Sequence, residues 1–231
     1  MSRTAASDGD ERRPRRTYKA EAAAHLRSQI LSGALPPGSR IDQDAVSDAL
    51  GISKLPVREA LIQLESEGLI VNVAHRGAFV GLTSPEDILD SFEVYGLASG
   101  LAASRAVDRI TPEQLARLES ICDQMDASHD MAELQELNRQ FHRLVSQVGG
   151  SGRLRAILRY LTSSLPANFY EFAPHWRETA NREHREIFEA IRDRDKERAD
   201  HAMAQHTWHG GEHAVEVLKQ RGFWASVETP T

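Results

Sequence analysis

The sequence predicts a mainly α-helical protein in which one short pair of strands separates a small N-terminal group of helices from a larger C-terminal group. Three observations support this. Apolar residues recur at helical spacing along most of the 231 residues. One stretch, LIVNVAHRGAFVGL, is instead typical of two short strands joined at His75-Arg76-Gly77. After it, helix-start signals recur and no further strand candidate follows.

The composition is that of an ordinary globular chain and excludes several classes of protein. Hydrophobic residues make up 40% and charged residues 27%. No apolar run approaches the ~18 residues that span a bilayer, and no apolar segment follows the basic N-terminus, as a signal peptide requires. Cys122 is the only cysteine, which excludes a disulfide framework and a cysteine-based zinc site, and we expect it in the core. We therefore expect a cytoplasmic protein with no membrane partner.

The charge is distributed unevenly along the chain. The net charge is −6 overall, but residues 1–82 carry 11 Lys and Arg against 10 Asp and Glu. The remaining residues carry 17 basic and 24 acidic side chains. Only the N-terminal part is therefore suited to approach phosphates, and only where its arginines cluster.

The N-terminal part begins with a polar tail and a helix. Residues 1–17 are polar and rich in arginine, and we expect them to form a disordered basic tail. A domain covering residues 18–82 follows. Its first helix starts at Tyr18 and stops at Gly33, shortly before Pro36-Pro37-Gly38.

Two further helices separated by a tight turn precede the strands. One covers about residues 43–50 and ends at Gly51, which adopts the left-handed C-terminal position at little cost. The next follows Ser53 as N-cap, tolerates Pro56 in its first turn and ends at Gly68. The apolar residues expected to face one another across the turn are Ala45, Val46, Ala49 and Leu50 on one helix and Val57, Leu61 and Leu64 on the other. This order of helices, turn and two-stranded wing is a winged helix-turn-helix, whose third helix enters the major groove of DNA.

From Ser84 the sequence predicts an all-α antiparallel helical bundle. Ser84-Pro85-Glu86-Asp87 combines an N-cap, a first-turn proline and acidic first-turn residues, and Thr111-Pro112-Glu113 repeats the signal. The predicted helices lie at about 85–107, 112–127, 131–148, 152–165, 176–193 and 195–219. The bundle domain covers residues 83–223, and residues 224–231 form a tail.

These motifs resemble a known family of regulators. The segment LRSQILSGALPPGSRIDQDAVSDALGISKLPVREALIQLESEGLIVNVAHRGAFV is similar, nearly end to end, to the DNA-binding domain of the GntR family. The helical remainder resembles the FadR-type effector domain, the FCD domain, in a six-helix form closer to the VanR branch. The resemblance implies a ligand-responsive, sequence-specific DNA-binding transcriptional regulator, expected to repress a metabolic operon. We expect a homodimer on an inverted-repeat operator of double-stranded DNA, because two-fold symmetry doubles the few base contacts of one winged domain.

The resemblance also implies which residues read DNA. The family's reading positions correspond to Ser53, Lys54, Leu55 and Arg58 on the third helix and to Arg76 and Gly77 in the wing. Arginine reads guanine because its planar fork matches the O6 and N7 atoms together. Lys54 and Leu55 stand where the family usually has arginine and threonine. Since lysine cannot form that fork and leucine offers only apolar contact, we expect the preferred operator to differ from the family's usual one.

A metal site is the second implication of the resemblance. FadR-type domains often bind a divalent metal through an Asp-x-x-x-His pair and two later histidines, and the matching positions here are Asn138, His142, His184 and His206. Three imidazoles and an oxygen suit zinc, nickel or another first-row ion. Asn138 replaces the usual aspartate, so we expect weaker metal binding and a stronger attraction for an anionic effector such as a small carboxylate.

Tyr95 and Ser99 are the expected effector-binding residues on the first helix of the bundle. The family often has an arginine and a glutamate at these two positions, so an arginine that grips a carboxylate cannot be assumed there. A rival metal trio, His206, His209 and His213, also shares one helical face. Gly210 and Gly211 would weaken that helix by ~1 kcal/mol each.

Two alternatives in other functional classes stay open. One is a helical metalloenzyme that uses the histidines, with Glu183 or Glu186 beside His184 as an acid or base, although nothing in the sequence specifies that role. The other is a structural DNA-binding protein without a ligand. The inward polar set of the bundle counts against the second alternative, because a buried polar group without a partner costs ~1–3 kcal/mol.

Overall fold

The computed structural model describes residues 15–81, 83–164 and 176–224. Within these ranges the chain forms nine α-helices and one two-stranded antiparallel sheet, which confirms the mainly α fold class. The helices are α1 (Arg15–Leu31), α2 (Gln43–Leu50), α3 (Lys54–Ser66), α4 (Pro85–Arg109), α5 (Pro112–Ala127), α6 (Met131–Gly149), α7 (Gly152–Ser164), α8 (Trp176–Arg192) and α9 (Lys196–Gln220). The strands are β1 (Ile70–Val73) and β2 (Gly77–Val80). Most of the predicted basic tail, Leu82, residues 165–175 and the residues after Trp224 lie outside the described residues.

The N-terminal helices pack as a helix-turn-helix on α1, which begins three residues before the predicted start. Residues of α1 and α3 form the core of this part, the largest being Leu26, Ile30, Val57, Leu61 and Leu64. A partly buried ion pair between Arg27 and Glu67, with 2.6 Å between its atoms, ties α1 to the C-terminal end of α3. Apolar packing and this ion pair therefore fix α3 against α1.

The contribution of α2 to this core differs from the prediction. Ala45 and Ala49 are exposed, whereas Val46 and the polar residue Ser47 are buried. Burying Ser47 costs little because its hydroxyl donates a hydrogen bond to the Ile52 carbonyl across the turn. The turn itself forms as predicted, with Gly51 in the left-handed conformation at φ 63°.

The wing is a short antiparallel hairpin. Its register pairs Ile70 with Val80 and Val73 with Gly77. The chain reverses through left-handed conformations, with φ 61° at His75 in the turn and φ 100° at Gly77, the first residue of β2. A φ of 100° strains any residue with a side chain, so Gly77 shapes the wing tip through its backbone.

The six helices after the wing form the predicted bundle, and each begins and ends within two residues of its expected position. Capping boxes at Ser84 and Thr111 start α4 and α5 as the sequence indicates. The two longest bundle helices, α4 and α9, pack along each other; α8 packs against α9, and α5 packs against α6 and α8. Cys122 of α5 lies in the core of the bundle, and burial raises the pKa of its thiol to about 12.

One buried apolar cluster runs from the winged part into the bundle, including Leu26, Ile70, Ile88, Leu158 and Phe223. Two polar contacts cross the same boundary. The Trp224 indole N–H donates to the Thr83 carbonyl at 2.6 Å, and the Tyr160 hydroxyl donates to the Ser66 carbonyl at the end of α3. The two parts are thus packed against each other. None of the helices in the described ranges is long and apolar enough to cross a membrane.

Candidate DNA-reading surface and histidine site

The expected DNA-reading residues of α3 are all exposed. Pro56, Val57 and Leu61 face the core, which leaves the other side of the first two turns to solvent. The residues on that side are Ser53, Lys54, Leu55 and Arg58. Ser53 occupies the N-cap position, as predicted, but its side chain makes no capping hydrogen bond.

Lys54 and Leu55 are both accessible to a binding partner. The Lys54 ammonium lies 2.7 Å from the Asp44 carboxylate of α2, and both side chains are more than half exposed. An exposed ion pair of this kind contributes ~0–1 kcal/mol, so Lys54 can exchange Asp44 for a phosphate at little cost. Leu55 is 43% exposed, which suits an apolar contact such as a thymine methyl.

The wing presents the remaining two predicted residues. Arg76 is exposed, and its guanidinium lies over the Phe79 ring, 5.6 Å from the ring centre. The aromatic ring holds the cation at the wing tip. Gly77 supports this arrangement through its backbone conformation and offers no side chain to read a base.

The structure brings together the three histidines among the predicted metal ligands. His142 of α6, His184 of α8 and His206 of α9 place their potential ligand nitrogens within 4.8 Å of one another. In the described part of the chain they form the single group of histidine, cysteine and acidic side chains with this geometry. The Nε2 atoms of His142 and His206 are 3.2 Å apart. Two nitrogens bound tetrahedrally to zinc at 2.0–2.1 Å lie about 3.3 Å apart, so this spacing fits a metal centre.

The electrostatics of the cluster keep its inner histidines neutral. Burial, followed by the neighbouring His206, lowers the pKa of His142 to about 3. Burial and the two other imidazoles lower the pKa of His184 well below its usual value, although the Ala180 carbonyl one turn earlier opposes the shift. Neutral imidazole is the form that binds a metal.

Several nitrogens of the cluster also lack partners. The Nδ1 atom of His142 and both ring nitrogens of His184 are buried and make no hydrogen bond of acceptable geometry to another described residue. Such groups cost ~1–3 kcal/mol each when unsatisfied. A divalent ion would use one nitrogen of each ring, so the donor set fits a first-row metal.

Glu183 links two histidines beside the cluster, a role that the sequence analysis did not identify. Its carboxylate accepts hydrogen bonds from Nδ1 of His206 at 2.9 Å and from Nδ1 of His209 at 2.7 Å. Burial alone would raise the pKa of Glu183, but the bonds to the two histidines outweigh burial and lower it. Because Nδ1 of His206 faces Glu183, its Nε2 faces His142. The pairing depends on how α8 packs on α9, which local sequence does not specify.

The rival trio does not assemble. His206 turns toward His142, His209 turns toward Glu183, and His213 stacks on Trp176 with the ring centres 4.8 Å apart. The helix continues through Gly210 and Gly211, where the Phe92 ring of α4 packs closely against Gly211. The glycines therefore serve the contact between α4 and α9.

A cavity of about 600 Å³ opens next to the histidines. The predicted residues among its lining are Tyr95, Ser99, Asn138, His142 and His206. The Ser99 hydroxyl donates to the Tyr95 carbonyl at 2.8 Å, and burial raises the pKa of the Tyr95 phenol above its usual value. His184 is absent from the lining, so it approaches the cluster from the core side. The volume is typical of a small-molecule site.

The comparisons with known proteins agree with the fold and identify the two domains. Residues 18–80 match the family described as "Bacterial regulatory proteins, gntR family", and residues 90–208 match the FCD domain. An uncharacterized HTH-type transcriptional regulator of Mycobacterium tuberculosis is 32% identical over 152 residues. That match covers 66% of this chain and 62% of the relative, so the chain spans less than two thirds of the relative's length. The HTH-type transcriptional repressor RspR of Escherichia coli is 27% identical over 208 residues, covering 88% of this chain and 91% of RspR.

The same fold occurs in a solved structure, E. coli McbR/YncC, with a TM-score of 0.66 at 22% identity, covering 88% of this chain and 97% of that one. These relatives are named as transcriptional regulators, and the matched family is one of regulators and not of enzymes, so the prediction of a non-enzyme is confirmed. With its N-terminal helix-turn-helix and its C-terminal FCD domain, the chain belongs to the GntR family of bacterial regulatory proteins.

Proposed function

We propose that the protein is a ligand-responsive transcriptional regulator that binds specific DNA sequences. The observation that carries the proposal is the exposed leading end of α3, where Ser53, Lys54 and Arg58 have neither a capping nor a core role. Helix-turn-helix proteins insert this end of the recognition helix into the major groove. Repression is supported by the name of the relative RspR, which is a transcriptional repressor.

The protein acts as a homodimer on an inverted repeat. Three large apolar side chains lie on one exposed face of α4 at helical spacing: Val94, Leu97 and Leu101 are 52%, 66% and 40% exposed. An apolar stripe of this size in a chain with otherwise ordinary polarity indicates a contact surface. A second copy of the chain is its occupant, because two-fold pairing of the bundles presents two winged domains to two half-sites.

A divalent metal, zinc or nickel, is held by His142, His184 and His206. Asn138 lines the same cavity and adds a weak fourth ligand. When bound, the metal supplies a positive charge and an open coordination position at the cavity wall. A small carboxylate then occupies the cavity against Tyr95 and Ser99.

The signal passes through α7. This helix lines the cavity with Leu158 and Thr162, and between them Tyr160 bonds to the Ser66 carbonyl at the end of the recognition helix. A ligand shifts the spacing of the two DNA-binding domains only if it binds one spacing better than the other. The direct contact between α7 and α3 connects the cavity to the DNA-binding domain, so ligand binding can favour one spacing.

Selection from a random duplex library tests DNA recognition. We expect enrichment of one inverted repeat, and a library without an enriched motif after several rounds would contradict the proposal.

For sensing, His184→Ala should abolish zinc uptake and the response to carboxylates while leaving DNA binding without ligand intact. His201→Ala, at an exposed position of α9, is the matched control and should retain both. Tag-free wild-type protein that takes up no metal on titration would contradict the metal site.

A further inference from the structure

Four arginines line the cavity on the side formed by α6 and α7. Arg139 and Arg143 belong to α6, and Arg155 and Arg159 belong to α7. The two members of each pair are four residues apart, so they project from the same face of their helix. Among the described residues that line the cavity there is no aspartate or glutamate. The cavity therefore carries a formal charge of +4 from arginine alone.

Among the described residues, an acidic side chain pairs with one of the four arginines. Arg139 pairs with Glu136, an exposed neighbour on α6. The other three form no ion pair with another residue within 15–81, 83–164 and 176–224. Surface arginines are ordinarily interspersed with carboxylates, because like charges gathered around one cavity repel each other. A concave surface of one sign instead attracts and concentrates ligands of the opposite sign.

The arginines lie beside the histidine site on the same helix. Asn138 and His142 occupy one row of α6, and Arg139 and Arg143 occupy the next row, rotated by about 100°. A ligand with one end at the histidines thus meets guanidinium groups along the adjacent wall. The lining also includes the apolar side chains of Phe92, Leu158 and Met203, which can contact a carbon skeleton.

We propose that the effector carries at least two anionic groups, carboxylate or phosphate ester, on a short skeleton. One group faces the histidine site, and another is held by the arginines of α6 and α7. This inference rests on the proposed function, since it assumes that the cavity is the effector site. It also explains how the cavity holds an anion although Tyr95 stands where relatives often have arginine.

Arg155 and Arg159 make the larger contribution to the second subsite. Arg139 is already paired, and Arg143 also lines a second, smaller cavity together with Glu136. The side chain of Arg155 is partly buried where its stem passes over Gly150. A guanidinium held in this way can grip a carboxylate or phosphate with two parallel hydrogen bonds.

Calorimetric titration of the zinc-loaded full chain with matched acids tests the inference. Butyrate and succinate have the same four-carbon skeleton and differ by one terminal carboxylate; tricarballylate and 3-phosphoglycerate extend the series. At constant ionic strength, we expect succinate to bind at least about tenfold more tightly than butyrate, the usual order for an added charged hydrogen-bonded pair. The phosphate-bearing and carboxylate-bearing probes then show which anionic group the second subsite prefers.

The double variant Arg155→Gln with Arg159→Gln should remove the preference for succinate. It should still take up zinc and bind DNA. Arg153→Gln is the control, because Arg153 lies exposed on the same helix and does not line the cavity. Circular dichroism establishes that each variant is folded.

Three outcomes would overturn the inference: equal affinities for the two four-carbon acids, a preference that survives in the double variant, or no binding of any multiply charged probe up to about 10 mM. If butyrate and succinate bind with equal affinity and still release the protein from the selected DNA, this inference fails but the proposed function stands. Absence of a selected DNA sequence is the separate failure of the proposed function.

Discussion

The hydroxyl of Ser53 stands at the N-cap of α3 without making the bond that a capping residue usually makes. The side chains of Ser84 and Thr111 accept hydrogen bonds from backbone N–H groups at the starts of α4 and α5. Such a cap contributes ~0.5–2 kcal/mol to stability. The start of α3 lacks that contribution, and the Ser53 side chain and the first backbone N–H groups of α3 are left to contact a phosphate.

Arg58 is the residue on this surface with the strongest expected effect on sequence preference. Arg58→Ala should weaken operator binding by about 1–3 kcal/mol and broaden base preference, because it removes a bidentate reader. Fluorescence anisotropy with the selected duplex and with single-base variants measures both effects. Arg153→Ala removes the same charge from an exposed site on the bundle and should change neither. Unchanged affinity and selectivity in Arg58→Ala would mean that this end of α3 does not read bases.

Glu183 acts on the histidine site by orienting His206. Glu183→Gln should lower zinc affinity about 10–100-fold, the usual effect of losing an outer carboxylate that fixes a ligand imidazole. Competition with a chromophoric zinc chelator measures the change. Glu186→Gln is the matched control, because Glu186 is exposed on the same helix. Equal zinc affinities in the two variants would exclude the orienting role.

Among the elements, the contact between α4 and α9 depends on a glycine pair in the middle of α9. A Cβ atom on Gly211 would lie 2.7 Å from the Cβ of Phe92, whereas one on Gly210 would meet Phe92 at 3.6 Å, an ordinary contact. Adjacent positions of one helix therefore have different steric environments. Phe92 also lines the cavity, so this contact fixes one of its walls.

Alanine substitutions at Gly210 and Gly211 should change the free energy of unfolding in opposite directions. Gly210→Ala should raise the free energy of unfolding by up to about 1 kcal/mol, because alanine is the better helix former. Gly211→Ala should lower it by about 1–3 kcal/mol, since overpacking outweighs that gain. Urea denaturation of both variants gives the two values. Stabilisation by Gly211→Ala would show that α4 and α9 separate easily.

At the scale of the whole molecule, the exposed apolar stripe of α4 is the proposed dimer interface. Leu97→Glu should convert the dimer into a monomer at micromolar concentration, because a carboxylate would be buried in the centre of the interface. Light scattering coupled to size-exclusion chromatography measures the mass. Ala116→Glu adds the same charge at an exposed position of α5 and should remain dimeric. A monomeric wild-type protein, or a dimeric Leu97→Glu, would contradict the proposed interface.

The contact of α7 with the end of α3 should carry the effector response. Tyr160→Phe removes only the hydroxyl that bonds to the Ser66 carbonyl. We expect zinc uptake, acid binding and DNA affinity without ligand to stay within about twofold of wild type, while the ligand-induced change in DNA affinity shrinks. Anisotropy titrations with and without succinate measure the coupling. Tyr18→Phe on α1 is the control, and coupling that is equal in both variants would place the signal elsewhere.

The sequence alone determined the secondary-structure elements and which residues are expected to read DNA. Proline, glycine and capping signals act within four residues, so they set the bounds of the bundle helices to within two residues and the turn at Gly51. The family pattern located Arg58 and the three histidines, and the histidines do assemble.

Only the tertiary structure decided which side chains from distant helices meet. Sequence periodicity placed Ala45 and Ala49 in the core, but α2 is too short for its pattern to fix which face turns inward. The bridge from Glu183 to His206 and His209 joins residues more than twenty positions apart, and its geometry follows from the packing of α8 on α9. The arginine-lined wall requires two helices to face one cavity. Spacing along one helix cannot reveal such an arrangement, because it depends on the angle and distance at which neighbouring helices pack.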